Sequence, residues 1–448
     1  MAKRSRDEYE CRDKKTALQK ESIEAALLIC ATQFGYETLK EEQKRAVVSF
    51  VEGNDVFVTL PTGFGKSFCY FCLPLLFDIL YNKTSWSVAL VVSPLNALMS
   101  DQVQLLKSKG ISAVICGYGD KEENKSLVSG GTFQIVFTPP EILFDKEWTE
   151  VFRSSSLHDR LVAFIVDEAH CVKKWGKDFR KDYSKLGGLR GLLPSGVHFM
   201  ALTATASNFT RNEVIRSLGM TKPVMIIRSP DKPNLYYSVM EKTESIEDTF
   251  KPVIEELRKL RHNTKKTIIF CRTYQDCCDL YLTFRSSLGV EFTNPIGAPD
   301  YSIFRMVEMF TAVNTPSLKQ SILASFSNPR GHMRIVIATV AFGMGIDCAG
   351  VRRIIHWGAP SDVDCYIQET GRAGRDGDRA FADLYYSKRD IGVTFMEDCM
   401  KNYCTNRSMC RRESLFQSFQ SYSPLQKPIG CLCCDLCAIV CECSFCKF

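Results

Sequence analysis

The stretch LPTGFGKSFCY, Leu60 to Tyr70, decides the reading of this chain. An apolar run from Asp55 to Leu60 reads as a buried strand. It feeds a loop carrying Gly63 and Gly65, which ends in Lys66-Ser67 and opens a helix. That arrangement suits a polyphosphate: loop N–H groups and the positive end of the helix point at the anion, and the glycines let the backbone come close. Lys66 is placed to neutralise β- and γ-phosphates, and the Ser67 hydroxyl to ligate Mg²⁺. The match is partial, because Leu60 stands where the full nucleotide-loop pattern has a glycine.

Working outward, apolar runs at Ser87–Ser93, Phe133–Thr138, Leu161–Val166 and Val197–Thr203 alternate with helical or loop segments. Continuous apolar strands separated by helices indicate a parallel sheet covered on both faces, with ligands gathered at the strands' carboxyl ends. One run, LVAFIV, leads straight into Asp167-Glu168-Ala169-His170. Two adjacent carboxylates at a buried strand end need a cation. Asp167 would hold Mg²⁺, mostly through water, Glu168 would orient and deprotonate an attacking water, and His170 would report the state of the γ-phosphate. Upstream, Tyr36 and Gln43 lie one heptad apart in a helix-compatible stretch, an aromatic to stack on adenine and an amide to bind its edge.

After DEAH comes CVKKWGKDFRKDY, where Trp175, Phe179 and Tyr183 are set among five cations, including Arg180. Aromatics that stack on bases among cations that track phosphates make a single-strand platform. The pattern loosens between Pro223 and Val239, and the domain boundary is expected there. A second α/β unit follows, with strand-to-loop transitions at Lys265–Thr273 and Arg334–Asp347, and then QETGRAGRDG, Gln368 to Gly377. Arg372 and Arg375 are three apart and would share a face on a helix. A guanidinium from one domain reaching a γ-phosphate held by the other is worth about 10³–10⁵ in rate.

At 448 residues the chain holds two α/β units and an appendage, and a 45% hydrophobic content is that of a globular protein. The net charge of +6 permits a nucleic-acid partner without demanding one. The longest apolar run, Phe68 to Leu80, is too short to span a bilayer, and the charged first residues show no secretory signal. Lys3-Arg4-Ser5-Arg6 reads as a solvated tail before it reads as a nuclear signal. Of 21 cysteines, ten crowd between Cys399 and Cys446, which in a reducing compartment argues for metal binding over disulfides.

Together these strings resemble superfamily 2 helicases and, closely, the RecQ family, over about residues 24 to 440. FGYETLKEEQ resembles motif 0, LPTGFGKS motif I, VVSPLNALMSDQ motif Ia, VDEAH motif II, ALTATA motif III, ATVAFGMGID motif V and QETGRAGRDG motif VI. WGKDFRKDY is similar to the family's aromatic-rich loop. The resemblance implies an α/β chain of two RecA-like domains with parallel sheets plus a small helical zinc-binding subdomain. The expected bounds are 1–23 for a flexible lead, 24–228 and 229–393 for the two domains, and 394–448 for the zinc subdomain. It implies ATP-dependent 3′→5′ DNA unwinding in repair, recombination or replication, with ATP, Mg²⁺ and Zn²⁺ as cofactors. The spacings themselves show neither polarity nor the choice of DNA over RNA; an RNA helicase and a non-catalytic nucleic-acid binder that retains ATP are the alternatives.

By the same resemblance Tyr36 and Gln43 meet adenine. Thr62, Gly63, Gly65, Lys66, Ser67, Asp347 and Gln368 meet the rest of the nucleotide, and Arg372 and Arg375 the γ-phosphate. Ser93, Trp175, Phe179 and Arg180 contact nucleic acid, and Cys410, Cys431, Cys434 and Cys437 hold zinc, with Cys433, Cys441, Cys443 and Cys446 competing as ligands. Single-stranded and tailed or forked duplex DNA are the expected partners of a nuclear monomer with no membrane association. Phe310-Thr311-Ala312-Val313 departs from the family's aromatic-His-Ala-Gly string. The chain ends at Phe448 without a winged helix, which weakens the expectation of strong duplex separation.

Overall fold

A computed structural model describes residues 20–94, 96–119, 121–172, 181–191, 193–339, 349–419 and 427–444. Trp175, Phe179, Arg180 and Asp347 lie outside the described residues. The chain divides into two compact units, Met1–Ser229 and Pro230–Phe448.

The first unit opens with α1 (Lys20–Phe34) and α2 (Glu41–Val51), then β1 (Val56–Thr59), α3 (Phe68–Phe71), α4 (Leu73–Leu80), β2 (Val88–Val92) and α5 (Asn96–Ser108). It continues through β3 (Ala113–Ile115), β4 (Ile135–Thr138), β5 (Leu161–Val166), β6 (His198–Thr203), α6 (Asn208–Ser217) and β7 (Val224–Ile227). Its seven strands run in the order β3-β4-β2-β5-β6-β1-β7, with every pairing parallel. The uninterrupted apolar runs have a simple cause. Successive side chains alternate faces, so Val56 and Val58 enter one core while Phe57 enters the other; Ala163 and Ile165 oppose Phe164 and Val166 in the same way. Both faces are dry, so the strand interiors are apolar, and the polar residues Thr59, Thr138 and Thr203 stand at the carboxyl ends.

The second unit contains β8 (Leu235–Glu241), α7 (Ile246–Leu260), β9 (Lys266–Cys271), α8 (Tyr274–Leu288), β10 (Val307–Phe310), α9 (Pro316–Ser327) and β11 (Ile335–Ala338). Then come β12 (Val351–Trp357), α10 (Val363–Thr370) and β13 (Ala380–Tyr386). Its six strands, again all parallel, have the order β10-β11-β9-β12-β13-β8. The tail forms α11 (Asp398–Thr405), α12 (Arg411–Phe416), α13 (Gly430–Cys433) and α14 (Asp435–Ile439).

Two local expectations are revised. Tyr36 stands in the turn between α1 and α2, so it shares no helical heptad with Gln43. The loosened stretch around the boundary holds two strands, β7 and β8, each at the edge of its sheet. An edge strand packs on fewer neighbours and tolerates nearby prolines, which is why its pattern is weak. The tail, expected to have little core of its own, packs onto the second unit. Cys404, Leu415, Phe416, Cys433 and Cys434 pack in one cluster with Leu235, Tyr237 and Tyr366 of the second unit. No helix among the described residues is long and apolar enough to cross a membrane.

Candidate functional site

In the first unit the loop after β1 has the strained turns the glycines are there to allow: φ is +80° at Gly63 and +84° at Gly65, where L side chains rarely go. Gly65 is also crowded, since a Cβ there would come 2.7 Å from Gln43 Nε2. The loop is held from α2. Gln43, only 2% exposed, accepts the Lys40 N–H at 3.0 Å and donates to the carbonyls of Phe64 (3.3 Å) and Gly65 (3.1 Å). Phe64 meets two cations, with Lys40 Nζ 3.9 Å and the Arg228 guanidinium 4.9 Å from its ring centre. Tyr36 is 38% exposed, and its ring meets Phe68 edge-on at 5.0 Å. Lys66 Nζ donates to the carbonyls of Leu60 (3.0 Å) and Pro61 (3.5 Å) of its own loop. Ser67 caps α3. Gln43 is thus a brace of the loop in this structure, with its amide turned onto backbone.

The carboxylate pair emerges from β5 beside this loop. The Tyr70 hydroxyl, fully buried, donates to Asp167 Oδ2 at 3.0 Å and accepts from Gln102 Nε2 at 3.1 Å. Tyr70 and Gln102 were not singled out from the sequence. A tyrosine fully inside an apolar helix needs a hydroxyl partner, and that was the available signal in SFCY. Burial, with Glu168 adjoining it, pushes the Asp167 carboxyl up to about 6, against the pull of Lys66, the Glu168 amide and Tyr70. Glu168 takes φ +48°, a left-handed conformation rare for its type, and its amide donates to Asp167 Oδ1 at 2.9 Å.

The next link runs to β6. Thr203 donates its hydroxyl hydrogen to the Thr205 carbonyl at 2.8 Å, which leaves Oγ1 an acceptor toward His170 Nδ1 at 3.1 Å. Nδ1 therefore carries a proton; it also lies 3.3 Å from Glu168 Oε2. Burial disfavours charge on this imidazole, but Cys171 and Glu168 outweigh it and hold it above its ordinary value, at about 10. Asp167, Glu168 and His170 are thereby joined to the Ala201–Ser207 stretch, as two strands ending side by side require. Ser93, expected at nucleic acid, is fully buried at the end of β2; its amide donates to the Thr138 carbonyl and its hydroxyl has no partner among the described residues.

In the second unit α10 ends at Thr370, so Arg372 and Arg375 lie in the turns beyond it and share no helical face, as they would have on a helix. Gly371 and Gly374 end the helix early. The loop that carries the arginines is clamped from the segment before β8. Lys232 Nζ donates to the carbonyls of Gly371 (2.5 Å) and Ala373 (3.2 Å), and Asn234 Nδ2 to those of Gly374 (2.9 Å) and Asp378 (2.7 Å). Arg352 pairs with Asp376 at 2.6 Å and Asp378 at 2.7 Å. Gln368 is half-buried on α10. Burial and the neighbouring Arg375 lower Lys232 to about 8, with Asp376 opposing.

The cysteine register differs from expectation at one place. Cys410, Cys433, Cys434 and Cys437 bring their sulfurs within 4.8 Å of one another, while Cys431 joins Cys441 and Cys443. The helix α13 explains the exchange: at 100° per residue, Cys431 and Cys433 point to nearly opposite sides. Within the four, Cys410 and Cys433 are 3.6 Å apart and Cys410 and Cys434 3.9 Å. Four sulfurs about 2.3 Å from a tetrahedral Zn²⁺ would lie about 3.8 Å apart, so the set fits that ion. The thiols of Cys410 and Cys433, with the amides of Cys437 and Arg411, draw Cys434 below its ordinary value. Arg411, 1% exposed, pairs with Asp435 at 2.9 Å. Arg412, fully buried, pairs with Asp231 and donates to the carbonyls of Lys232 (3.0 Å) and Leu235 (2.5 Å).

Residues 40–213 match the DEAD/DEAH box helicase family, and residues 248–377 match the helicase conserved C-terminal domain. The ATP-dependent DNA helicase RecQ of Pasteurella multocida is 32% identical over 387 residues, covering 85% of this chain and 55% of its own. The ATP-dependent DNA helicase Q1 of Mus musculus is 34% identical over 383 residues, covering 82% and 55%. The chain belongs to the RecQ family of helicases. This RecQ-family chain spans little more than half the length of those two relatives. Its fold is also like that of the Mycobacterium smegmatis helicase Lhr bound to ssDNA and AMP-PNP, at TM-score 0.59 and 20% identity over 82% of this chain and 48% of that one.

Proposed function

We propose that this RecQ-family chain is an ATP-driven 3′→5′ DNA helicase acting on single-stranded and tailed or forked duplex DNA in repair, recombination or replication. The observation that carries the reading is the Tyr70 bridge, which ties the helix after the glycine loop to the buried Asp167 carboxylate. A buried carboxylate with a raised pKa beside a lysine-tipped loop sets groups for a cation and for an anion next to each other. Mg²⁺·ATP, when bound, supplies the electrophilic phosphorus and the positive charge that two adjacent carboxylates need.

The residues then divide the work. Lys66 exchanges its hold on the Leu60 and Pro61 carbonyls for the β- and γ-phosphates, and Ser67 and Asp167 hold the metal. Tyr70 fixes Asp167, and Glu168 takes the proton of the attacking water. His170 and Thr203 carry the change at the γ-phosphate to the end of β6. Tyr36 and Gln43 meet adenine, Thr62, Gly63, Gly65, Asp347 and Gln368 the rest of the nucleotide, and Arg372 and Arg375 the charge on the transferred phosphoryl group. Trp175, Phe179 and Arg180 are assigned to the DNA strand; Ser93, fully buried at the end of β2, is withdrawn from that role. Zn²⁺ held by Cys410, Cys433, Cys434 and Cys437 orders the tail. Nuclear residence and action as a monomer belong to the same reading.

The test is DNA-stimulated ATP hydrolysis together with strand displacement. Lys66→Ala is expected to lose about 10²–10³-fold in kcat, the cost of removing one charge-stabilising donor. Displacement should need a 3′-tail. Equal phosphate release by both proteins, or displacement of 5′-tailed duplexes alone, would overturn the reading.

A further inference from the structure

The tail carries a second sulfur cluster that shares no residue with the first. Cys431, Cys441 and Cys443 hold their sulfurs within 4.8 Å of one another, with Cys431 and Cys443 3.4 Å apart. Cys431 starts from α13 on the side opposite Cys433, so one short helix feeds two separate clusters. The approach of Cys441 is built into the backbone: a Cβ on Gly430 would come 2.5 Å from its sulfur, so the glycine leaves room for it.

We propose that Cys431, Cys441 and Cys443 form a second metal site, for a thiophilic ion of the Zn²⁺ class, independent of the four-cysteine set. Three convergent sulfurs at roughly the separation of tetrahedral ligands are what such an ion requires, and one corner is left for water or another donor. Each thiol gives up its proton on binding. A disulfide is a poorer account of the geometry, since it would close two sulfurs to about 2.0 Å and leave the third without a role. The site also answers a need of the chain. Ile439 and Val440 are 79% and 78% exposed, and residues 441–444 form no helix or strand. With so little apolar burial, a metal is the available source of order there.

The experiment measures zinc per chain by elemental analysis on the full protein, purified under reducing conditions and reconstituted with Zn²⁺. Wild type is expected to hold two ions and Cys443→Ser one. As a second readout, cobalt-substituted wild type should show the charge-transfer absorption of three more thiolates than Cys443→Ser, while α-helical circular dichroism stays unchanged. A wild-type ratio of one that remains one in Cys443→Ser overturns the proposal and leaves the four-cysteine site standing. A ratio of one that falls to zero supports this site and removes the other. Mass-spectrometric detection of a Cys431–Cys443 disulfide in the reduced preparation would also overturn it.

Discussion

Replacing Asp167 with asparagine is expected to make the first unit more stable in metal-free solution while removing ATP turnover. Asp167 is 5% exposed, and burial, aided by Glu168, raises its carboxyl from 3.8 to about 6. At about 1.36 kcal/mol for each tenfold change in proton affinity, holding it ionised at pH 8 costs the fold about 3 kcal/mol. The sign follows from the direction. A carboxyl whose folded value lies above its unfolded value penalises the fold at pH above about 6, and the penalty fades as pH falls toward 3.8. Asparagine removes the charge but offers one acceptor where Asp167 uses two, toward Tyr70 and the Glu168 amide, a loss of about 1 kcal/mol. The net gain of about 2 kcal/mol is a rise in Tm of roughly 4–8 °C for a unit of this size. Thermal unfolding followed by fluorescence in a chelator at pH 8 measures it, and the gap to wild type should narrow at pH 5.5. Mg²⁺·ATP should raise the Tm of wild type and barely move that of the variant. A variant no more stable than wild type at pH 8, or a gap that widens as pH falls, would refute the reasoning.

Gly65→Ala must place a side chain at φ +84° and 2.7 Å from Gln43 Nε2, so it should cost about 1–2 kcal/mol and weaken nucleotide binding at least about tenfold by calorimetry. Asp231→Ala leaves the buried Arg412 charge unpaired and should cost about 3–5 kcal/mol in urea unfolding, with most of it regained in Asp231→Ala/Arg412→Met. A near-neutral single variant would show that the pair is not what fastens α12. Trp175→Ala should keep basal ATP hydrolysis and lose most of its stimulation by single-stranded DNA, and full stimulation would refute the platform role of that stretch.

The parts of the fold legible in the sequence were those where one physical demand dominates. Strands buried on both faces are apolar over most of their length, so β2, β5, β6 and β9 could be found within a residue or two. The glycine loop and the carboxylates at the end of β5 were legible because phosphate and metal chemistry restricts residue types. Edge strands were not, since β8 runs from mostly buried positions to two exposed ones, Met240 and Glu241, and β10 carries Glu308, whose charge is met by Arg305 three residues earlier. Nor were the braces. Tyr70, Gln102, Lys232, Asn234 and Arg352 act through contacts with residues distant in sequence, and nothing in their own neighbourhoods announces the partner. The cysteine register turned on the rotation of a four-residue helix, a phase that spacing alone leaves open.

The five residues from Asp231 to Leu235 have two clients. Lys232 and Asn234 hold the turns that bear Arg372 and Arg375, while Asp231 and the carbonyls of Lys232 and Leu235 receive Arg412, the neighbour of Arg411 and Cys410. Whatever loosens the sulfur-rich end of the molecule therefore tugs on the same short tether that keeps the arginine turns in shape. Loss of an ion held by the four-cysteine set should then slow turnover even when the DNA strand is saturating, a deficit passed from Arg412 through Asp231–Leu235 to the arginine turns.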